Sequence, residues 1–155
     1  HIVLFGCHRM GRSILMHLSK NREKMLIVDF DPEAVDRLRN EGWEVIYADA
    51  SDVELYDRLN LAKARMVIST LKDINDNLIM LSELKKRRIK ASVVMDAESV
   101  EDAEKLYQAG ATYVIFPHFV GGLHLSDLVR KGVSDKEDFE SYRKYQQEVM
   151  AGVYA

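Results

Sequence analysis

Short apolar runs alternate with amphipathic segments along most of this chain, and few folds accept that rhythm. The runs fall at residues 2–5, 25–30, 44–47, 66–70, 92–96 and 113–116. They are continuous and rich in Val and Ile, the pattern of strands buried on both faces of a parallel sheet. The segments between them carry helix boundary signals. Asp31-Pro32 reads as a cap followed by a first helical residue, and Gly42 as the stop. Ser51-Asp52-Val53-Glu54 has the spacing of a capping box. Ser99 with Asp102 opens a helix that ends at Gly110. A strand-helix repeat of this kind predicts an α/β domain, a doubly wound Rossmann-like parallel sheet ordered 3-2-1-4-5-6.

That domain is expected to fill residues 1–134. After the sixth run, residues 117–122 read as a connector to a short helix at 123–130, and Gly132 with Ser134 breaks the chain. Residues 135–155 form a second unit, a C-terminal amphipathic helix. Phe139, Tyr142, Gln146, Val149 and Val153 share one of its faces. Such a stripe either packs back on its own domain or docks on a partner subunit, and docking or dimerisation is the favoured reading. The chain opens on an apolar strand at His1-Ile2 with no leader, which sets two equal expectations: that it is excised from a longer protein, or that a short disordered start precedes it.

The chemistry is concentrated where the first strand turns into the first helix, at Gly6-Cys7-His8-Arg9-Met10-Gly11. In the G-x-G-x-x-G fingerprint the first glycine makes the tight turn, the second lets backbone approach a pyrophosphate, and the third lets helix pack on strand. Gly6 and Gly11 fill the first and third roles, and His8 stands in place of the second. The helix N-terminus keeps its free N–H groups and its dipole for a phosphate. Asp29, at the end of the second strand, stands where a carboxylate accepts from ribose hydroxyls and repels a 2′-phosphate, which disfavours NADP. Ala48-Asp49-Ala50 borders the expected adenine position, with Asp49 available to the amino group. Ser69-Thr70 ends the fourth strand at the point where the strand order reverses, where open α/β sheets bind ligands.

The net charge of −3, with acids and bases interspersed, supplies no dense positive face for nucleic acid. A single cysteine rules out an internal disulfide. Cys7 sits at a helix N-terminus, where its thiolate is favoured, but no base or resolving thiol accompanies it, so no redox or catalytic role is assigned. His8, His118 and His124 match no zinc spacing. Nearly all of the chain is spent on the sheet and its helices. Tyr107 and Tyr113 have no Lys at the spacing of a short-chain dehydrogenase. The chain is therefore read as a non-enzyme. A small NAD-dependent oxidoreductase and an assembly module with a decayed nucleotide site stand as the alternatives.

Together these residues resemble the regulator of K+ conductance family, whose domains are also called RCK, KTN or TrkA-N. The likeness runs through His1-Ile2-Val3-Leu4-Phe5-Gly6, Arg9-Met10-Gly11-Arg12-Ser13, Val28-Asp29-Phe30-Asp31-Pro32 and Tyr47-Ala48-Asp49-Ala50-Ser51, and it closes on residues 109–117. The resemblance implies a regulatory domain at the cytoplasmic face of the cell membrane. Such a domain binds an adenine nucleotide and acts on the membrane-spanning part of a K+ or cation transporter, in the same chain or complex, as a homodimer or higher homo-oligomer. The G-x-H-R-x-G variant is similar to domains of Kef-like cation:proton antiporters, which favours an antiporter over a channel. With the second glycine lost, AMP, ADP or ATP is favoured over NAD(H). By position the resemblance gives Arg9 to phosphate, Asp29 to ribose and Asp49 to the adenine side. The expected cofactor-binding set is Gly6, His8, Arg9, Met10, Gly11, Asp29, Phe30, Asp49, Ala50 and Thr70.

Overall fold

The computed structural model describes residues 1–19 and 24–154. Six parallel strands form one sheet in the order β3-β2-β1-β4-β5-β6. They are β1 Ile2–Phe5, β2 Met25–Asp29, β3 Glu44–Tyr47, β4 Met66–Ser69, β5 Ser92–Asp96 and β6 Tyr113–Ile115. Every residue of β1 and β2 is buried, whereas the ends of the edge strand β3 are exposed. This is the difference between a strand covered on both faces and one at the rim. Three strands end one residue earlier than the apolar runs. Phe30, Thr70 and Phe116 have already left the ladder, although the Thr70 N–H still donates to Phe5 O at 2.9 Å.

The helices are α1 Arg9–Ser19, α2 Pro32–Asn40, α3 Leu55–Arg58, α4 Ile74–Lys86, α5 Val100–Ala109, α6 Pro117–Arg130 and α7 Lys136–Tyr154. Two apolar layers sandwich the sheet. Val3, Phe5, Val28, Leu55, Tyr56 and Met80 belong to one, which packs β1 and β2 against α3 and α4. Ile2, Leu4, Ile27, Leu15 and Leu38 belong to the other, under α1 and α2. Alternate residues of β1 thus serve opposite layers, as the period of a strand requires. Each fully buried aliphatic side chain contributes about 1.5–3 kcal/mol through the area it removes from water.

The caps at Asp31 and Ser99 form as expected: Asp31 Oδ1 accepts from the Glu33 N–H at 3.0 Å, and Ser99 Oγ from the Asp102 N–H at 3.0 Å. Gly42 and Gly110 follow their helices with φ of +86° and +113°. The expected capping box at Ser51 does not form. Helix α3 begins only at Leu55, and the Ser51 hydroxyl donates instead to Asp49 Oδ1 at 2.8 Å. The short helix expected at 123–130 is longer than its pattern suggested. It starts at Pro117, whose fixed φ suits a first helical turn, and runs through Gly121-Gly122.

Helix α7 lies along α1, where the rings of His17 and Tyr145 meet edge-on with centroids 6.0 Å apart. Of its apolar stripe, Phe139 and Val149 are half-buried and Tyr142 is exposed, while the side chain of Val153 and the whole of Ala155 lie outside the described residues. Among the described residues, no helix is long and apolar enough to cross a membrane.

Candidate functional site

The C-terminal ends of β1, β2 and β4 converge, and backbone hydrogen bonds lock them together. Gly6 turns the chain out of β1 at a φ of +79° and donates its N–H to Val28 O at 2.9 Å. Thr70 closes the other side, its hydroxyl donating to Gly6 O at 2.9 Å. A β-carbon on Gly11 would lie 2.1 Å from Gly6 O, so only glycine lets α1 start this close to β1. Behind the turn, the buried Asn77 amide accepts from the Ser69 hydroxyl at 2.6 Å and donates to Leu71 O at 2.9 Å. Asn77 thereby shapes the loop between β4 and α4.

Asp29 is 8% exposed and holds this turn with both carboxylate oxygens. Oδ2 accepts from the Cys7 N–H at 2.6 Å, and Oδ1 from the Asp31 N–H at 2.9 Å. Each oxygen retains lone-pair capacity for a further donor. The acid therefore has a structural task in this chain before any ligand arrives.

Three adjoining cavities make a groove along this edge. The central one, of ≈480 Å³, is lined by Gly6, His8, Arg9, Asp29, Phe30 and Thr70 among others. Toward β3 it shares Asp29 and Phe30 with a slot of ≈120 Å³ that adds Ala48, Asp49 and Ala50. Toward β6 it shares His8, Arg9, Thr70 and Lys72 with a cavity of ≈570 Å³ that reaches Asp96 and His118. His8 is exposed and lies on the border between the central and β6-side cavities, so its imidazole does not fill the crevice. Eight of the ten expected residues thus share the central cavity or its slot. Met10 lines instead the β6-side cavity and a cleft between α1 and α7, and Gly11 lies beneath the turn rather than in its wall.

Charge is divided along the groove. The basic groups His8, Arg9 and Lys72 stand beside the N-terminus of α1, where a helix leaves N–H groups without intrahelical acceptors. Lys72 also pairs with Glu98 at 2.5 Å. Acids gather toward β3. The N–H and hydroxyl of Ser51 both donate to Asp49 and hold its carboxyl below the ordinary carboxylate range. Asp76, in the first turn of α4, is pushed upward by burial, and then by the charges of Asp73 and Asp49. At the other end burial raises Asp96 as well, and its Oδ1 is buried without a hydrogen-bond partner among the described residues. Cys7 corrects the expectation of a favoured thiolate. It is 1% exposed, and burial pushes its thiol up to about 12, outweighing the nearby Arg12.

Asp76, Lys72, Asn77 and Asp96 are absent from the sequence-derived set. Lys72, Asp76 and Asn77 follow β4 and Asp96 ends β5, and no motif marks any of them. The only available signal was topological: whatever follows β4 borders the crevice where the strand order reverses.

A family model described as the TrkA-N domain matches residues 2–117. Among curated relatives, the glutathione-regulated potassium-efflux system protein KefC of Enterobacter sp. strain 638 is 31% identical over 133 residues, 85% of this chain and 21% of that protein. The first curated relatives are matched over only 20–25% of their own length. Among solved structures, the NAD(P)-binding domain of an exopolyphosphatase-related protein from Archaeoglobus fulgidus superposes with a TM-score of 0.74 at 25% identity, covering 84% of this chain and 97% of that one. The Shewanella denitrificans Kef C-terminal domain in its AMP-bound form superposes with a TM-score of 0.69 at 18% identity, covering 99% of this chain and 95% of that one.

Proposed function

Since the chain belongs to the TrkA-N domain family, we propose that it is a cytosolic regulatory domain of a K+ or cation transport system and binds an adenine nucleotide to gate transport. The observation that carries this reading is the groove at the ends of β1, β2 and β3. A locked glycine turn, a buried strand-end acid and the open N-terminus of an eleven-residue helix lie on one continuous cavity. The adenosine lies toward Asp29 and Asp49, and the phosphate lies at the α1 N-terminus beside His8 and Arg9. The domain regulates rather than catalyses. Its likeness to KefC favours an antiporter as the membrane partner, and the AMP-bound Shewanella domain supports a mononucleotide. His8, with its side chain where fingerprints place a glycine, favours AMP, ADP or ATP over NAD(H).

Assembly follows from the exposed apolar face of α6. Phe119, Leu125 and Val129 on α6 are 63%, 54% and 60% exposed. Together with the uncovered part of α7, they form the surface on which residues 1–134 and the C-terminal helix meet a second copy. Thermal unfolding in the presence of AMP, ADP, ATP, NAD and NADH tests the nucleotide reading. A ligand at a hundred times its Kd adds about 2.7 kcal/mol, which for a domain of this size is a rise of roughly 5–11 °C. No shift with any of the five refutes it.

A further inference from the structure

The sheet is parallel, so all six strands begin at one edge, opposite the groove at their C-terminal ends. The residues just ahead of three neighbouring strands are basic: Lys24 before β2, His1 before β1 and Arg65 before β4. Backbone hydrogen bonds set them side by side. Lys24 O accepts from the Ile2 N–H at 2.9 Å, and His1 O from the Arg65 N–H at 3.0 Å. Paired strands run about 4.8 Å apart, so the three residues form one row. The row continues to β5, where the Ser92 N–H donates to Arg65 O at 3.2 Å and Lys90 stands two residues upstream. Arg58 and Lys63, on the connection from β3 to β4, and Arg88, between α4 and β5, extend it. Lys24, Arg58, Lys63, Arg65, Arg88 and Lys90 are all exposed. Among the described residues, the side chains of Lys24, Arg58, Lys63 and Lys90 have no partner. Cations interspersed in the sequence are thus gathered by the fold.

Helix dipoles account for only part of this edge. Cations suit a helix C-terminus, but Lys86 and Arg87 at the end of α4 are taken up by Glu83, and Arg87 also by Asp57. His1, Lys24, Arg65 and Lys90 lie outside every helix. Acids are scarce here. A cavity of ≈560 Å³ at the β2–β3 end of the edge is lined by His1, Lys24 and Arg58, with Glu44 as its one acid among the described residues. Asp29, Asp49, Asp73 and Asp96 lie at the other edge, across the length of the strands. The four residues of β1 span about 13 Å, beyond the Debye length of about 8 Å at physiological ionic strength. A partner at the basic edge therefore feels its cations rather than the net charge of −3. Half-buried Trp43 lines the same cavity, between the cations and the apolar walls of Leu26, Ile46 and Leu59. Indole rings favour the headgroup level of a bilayer, and clustered Lys and Arg favour its anionic lipids. We propose that this edge docks on an anionic phospholipid surface, with Lys24, Arg58, Lys63, Arg65 and Lys90 against the headgroups and Trp43 at their depth. The choice of a membrane over another polyanion rests on the transport reading above.

Co-sedimentation of the whole chain with vesicles tests the proposal. Wild type binds vesicles of equal parts phosphatidylglycerol and phosphatidylcholine, releases them as salt is raised, and ignores phosphatidylcholine alone. At roughly fivefold per cation, Lys24→Gln, Lys63→Gln and Lys90→Gln together weaken binding about a hundredfold. Lys131→Gln, Lys136→Gln and Lys144→Gln remove the same charge outside this edge and leave binding near wild type. Melting temperatures of both triple variants show that they are folded, since these lysines are exposed and hold no other side chain. Equal losses in the two triple variants overturn the proposal, as does binding that salt leaves untouched. Protein that binds poly-L-glutamate but not the vesicles overturns it in favour of an acidic protein partner. Wild type that melts higher with AMP yet stays off the vesicles overturns it while leaving the nucleotide site standing. Wild type that binds the vesicles but none of the nucleotides upholds the basic edge and removes the nucleotide site alone.

Discussion

Replacing Asp29 by Asn tests whether this acid is first a structural clamp. The carboxylate accepts two backbone N–H groups, one on each oxygen, from Cys7 at 2.6 Å and Asp31 at 2.9 Å. An amide has a single accepting oxygen. Whichever way it is turned, its NH2 faces a backbone donor. The lost bond was to a charged group and was worth about 1.5–3 kcal/mol. The surviving bond drops from charge-assisted to neutral strength, roughly half of what it was. Because Asp29 is 8% exposed, solvent screening takes little from either contribution. The expected destabilisation is about 2–4 kcal/mol, by the lost and the weakened bond together. For a domain of this length that lowers the melting temperature by roughly 5–15 °C. Thermal and urea unfolding of the unliganded protein, followed by circular dichroism, measure it directly. A variant that melts within about 2 °C of wild type would refute the clamp, being too small for even one charged bond. The result also governs how ligand data are read. Loss of nucleotide binding in an Asp29 variant counts against the ribose contact only if the turn is intact, and 2′-deoxy-AMP on wild-type protein probes that contact without touching the protein.

Gly11→Ala forces a β-carbon to within 2.1 Å of Gly6 O, so α1 must move off β1, and a cost of about 3 kcal/mol or more is expected in urea unfolding. Gly122→Ala, with no atom within 4 Å of the new carbon in α6, stabilises by up to about 1 kcal/mol; equal effects of the two substitutions contradict the packing described. Cys7, buried with its thiol pushed up to about 12, resists a thiol reagent such as DTNB at pH 8 in the folded protein and reacts at once in denaturant; rapid native labelling contradicts its burial. Asp76 has a raised folded-state pKa, so its penalty is absent well below the ordinary carboxylate range and fully present once pH exceeds the folded value. Asp76→Asn therefore raises the melting temperature at pH 7 and loses that advantage near pH 3; a variant less stable at pH 7 contradicts the crowding of acids.

Where the chain announces its structure, it does so through periodicity. The six apolar runs found their strands, because burial on both faces leaves β1 wholly apolar and β2 apolar up to its strand-end Asp29, whose carboxylate is hydrogen-bonded. The misjudged places are those where a tertiary contact overrode a local signal. Ser51 has the spacing of a cap, yet Asp49 competes for its hydroxyl, and Tyr56 fixes the same turn by donating to Ala50 O at 2.8 Å. Gly121-Gly122 looks like a break, yet Pro117 opens a helix that runs through it. The site was legible on its β1–β2 side, where Gly6, Gly11 and Asp29 follow a spacing set by the geometry of a strand turning into a helix. Its β4–β5 side was not. Asp76 and Asn77 come from α4 and Asp96 from the end of β5, and nothing local distinguishes an acid that lines a groove from one that faces water.

The central claim is that an adenine nucleotide lies across the ends of β1 and β2, with its phosphate at the start of α1. Titrating AMP into isotopically labelled protein and following backbone amide chemical shifts tests it most directly. Saturable shifts are expected at residues 6–11, at Phe30 and at residues 48–50. Shifts confined to α6 and α7, or none at millimolar AMP, would contradict it.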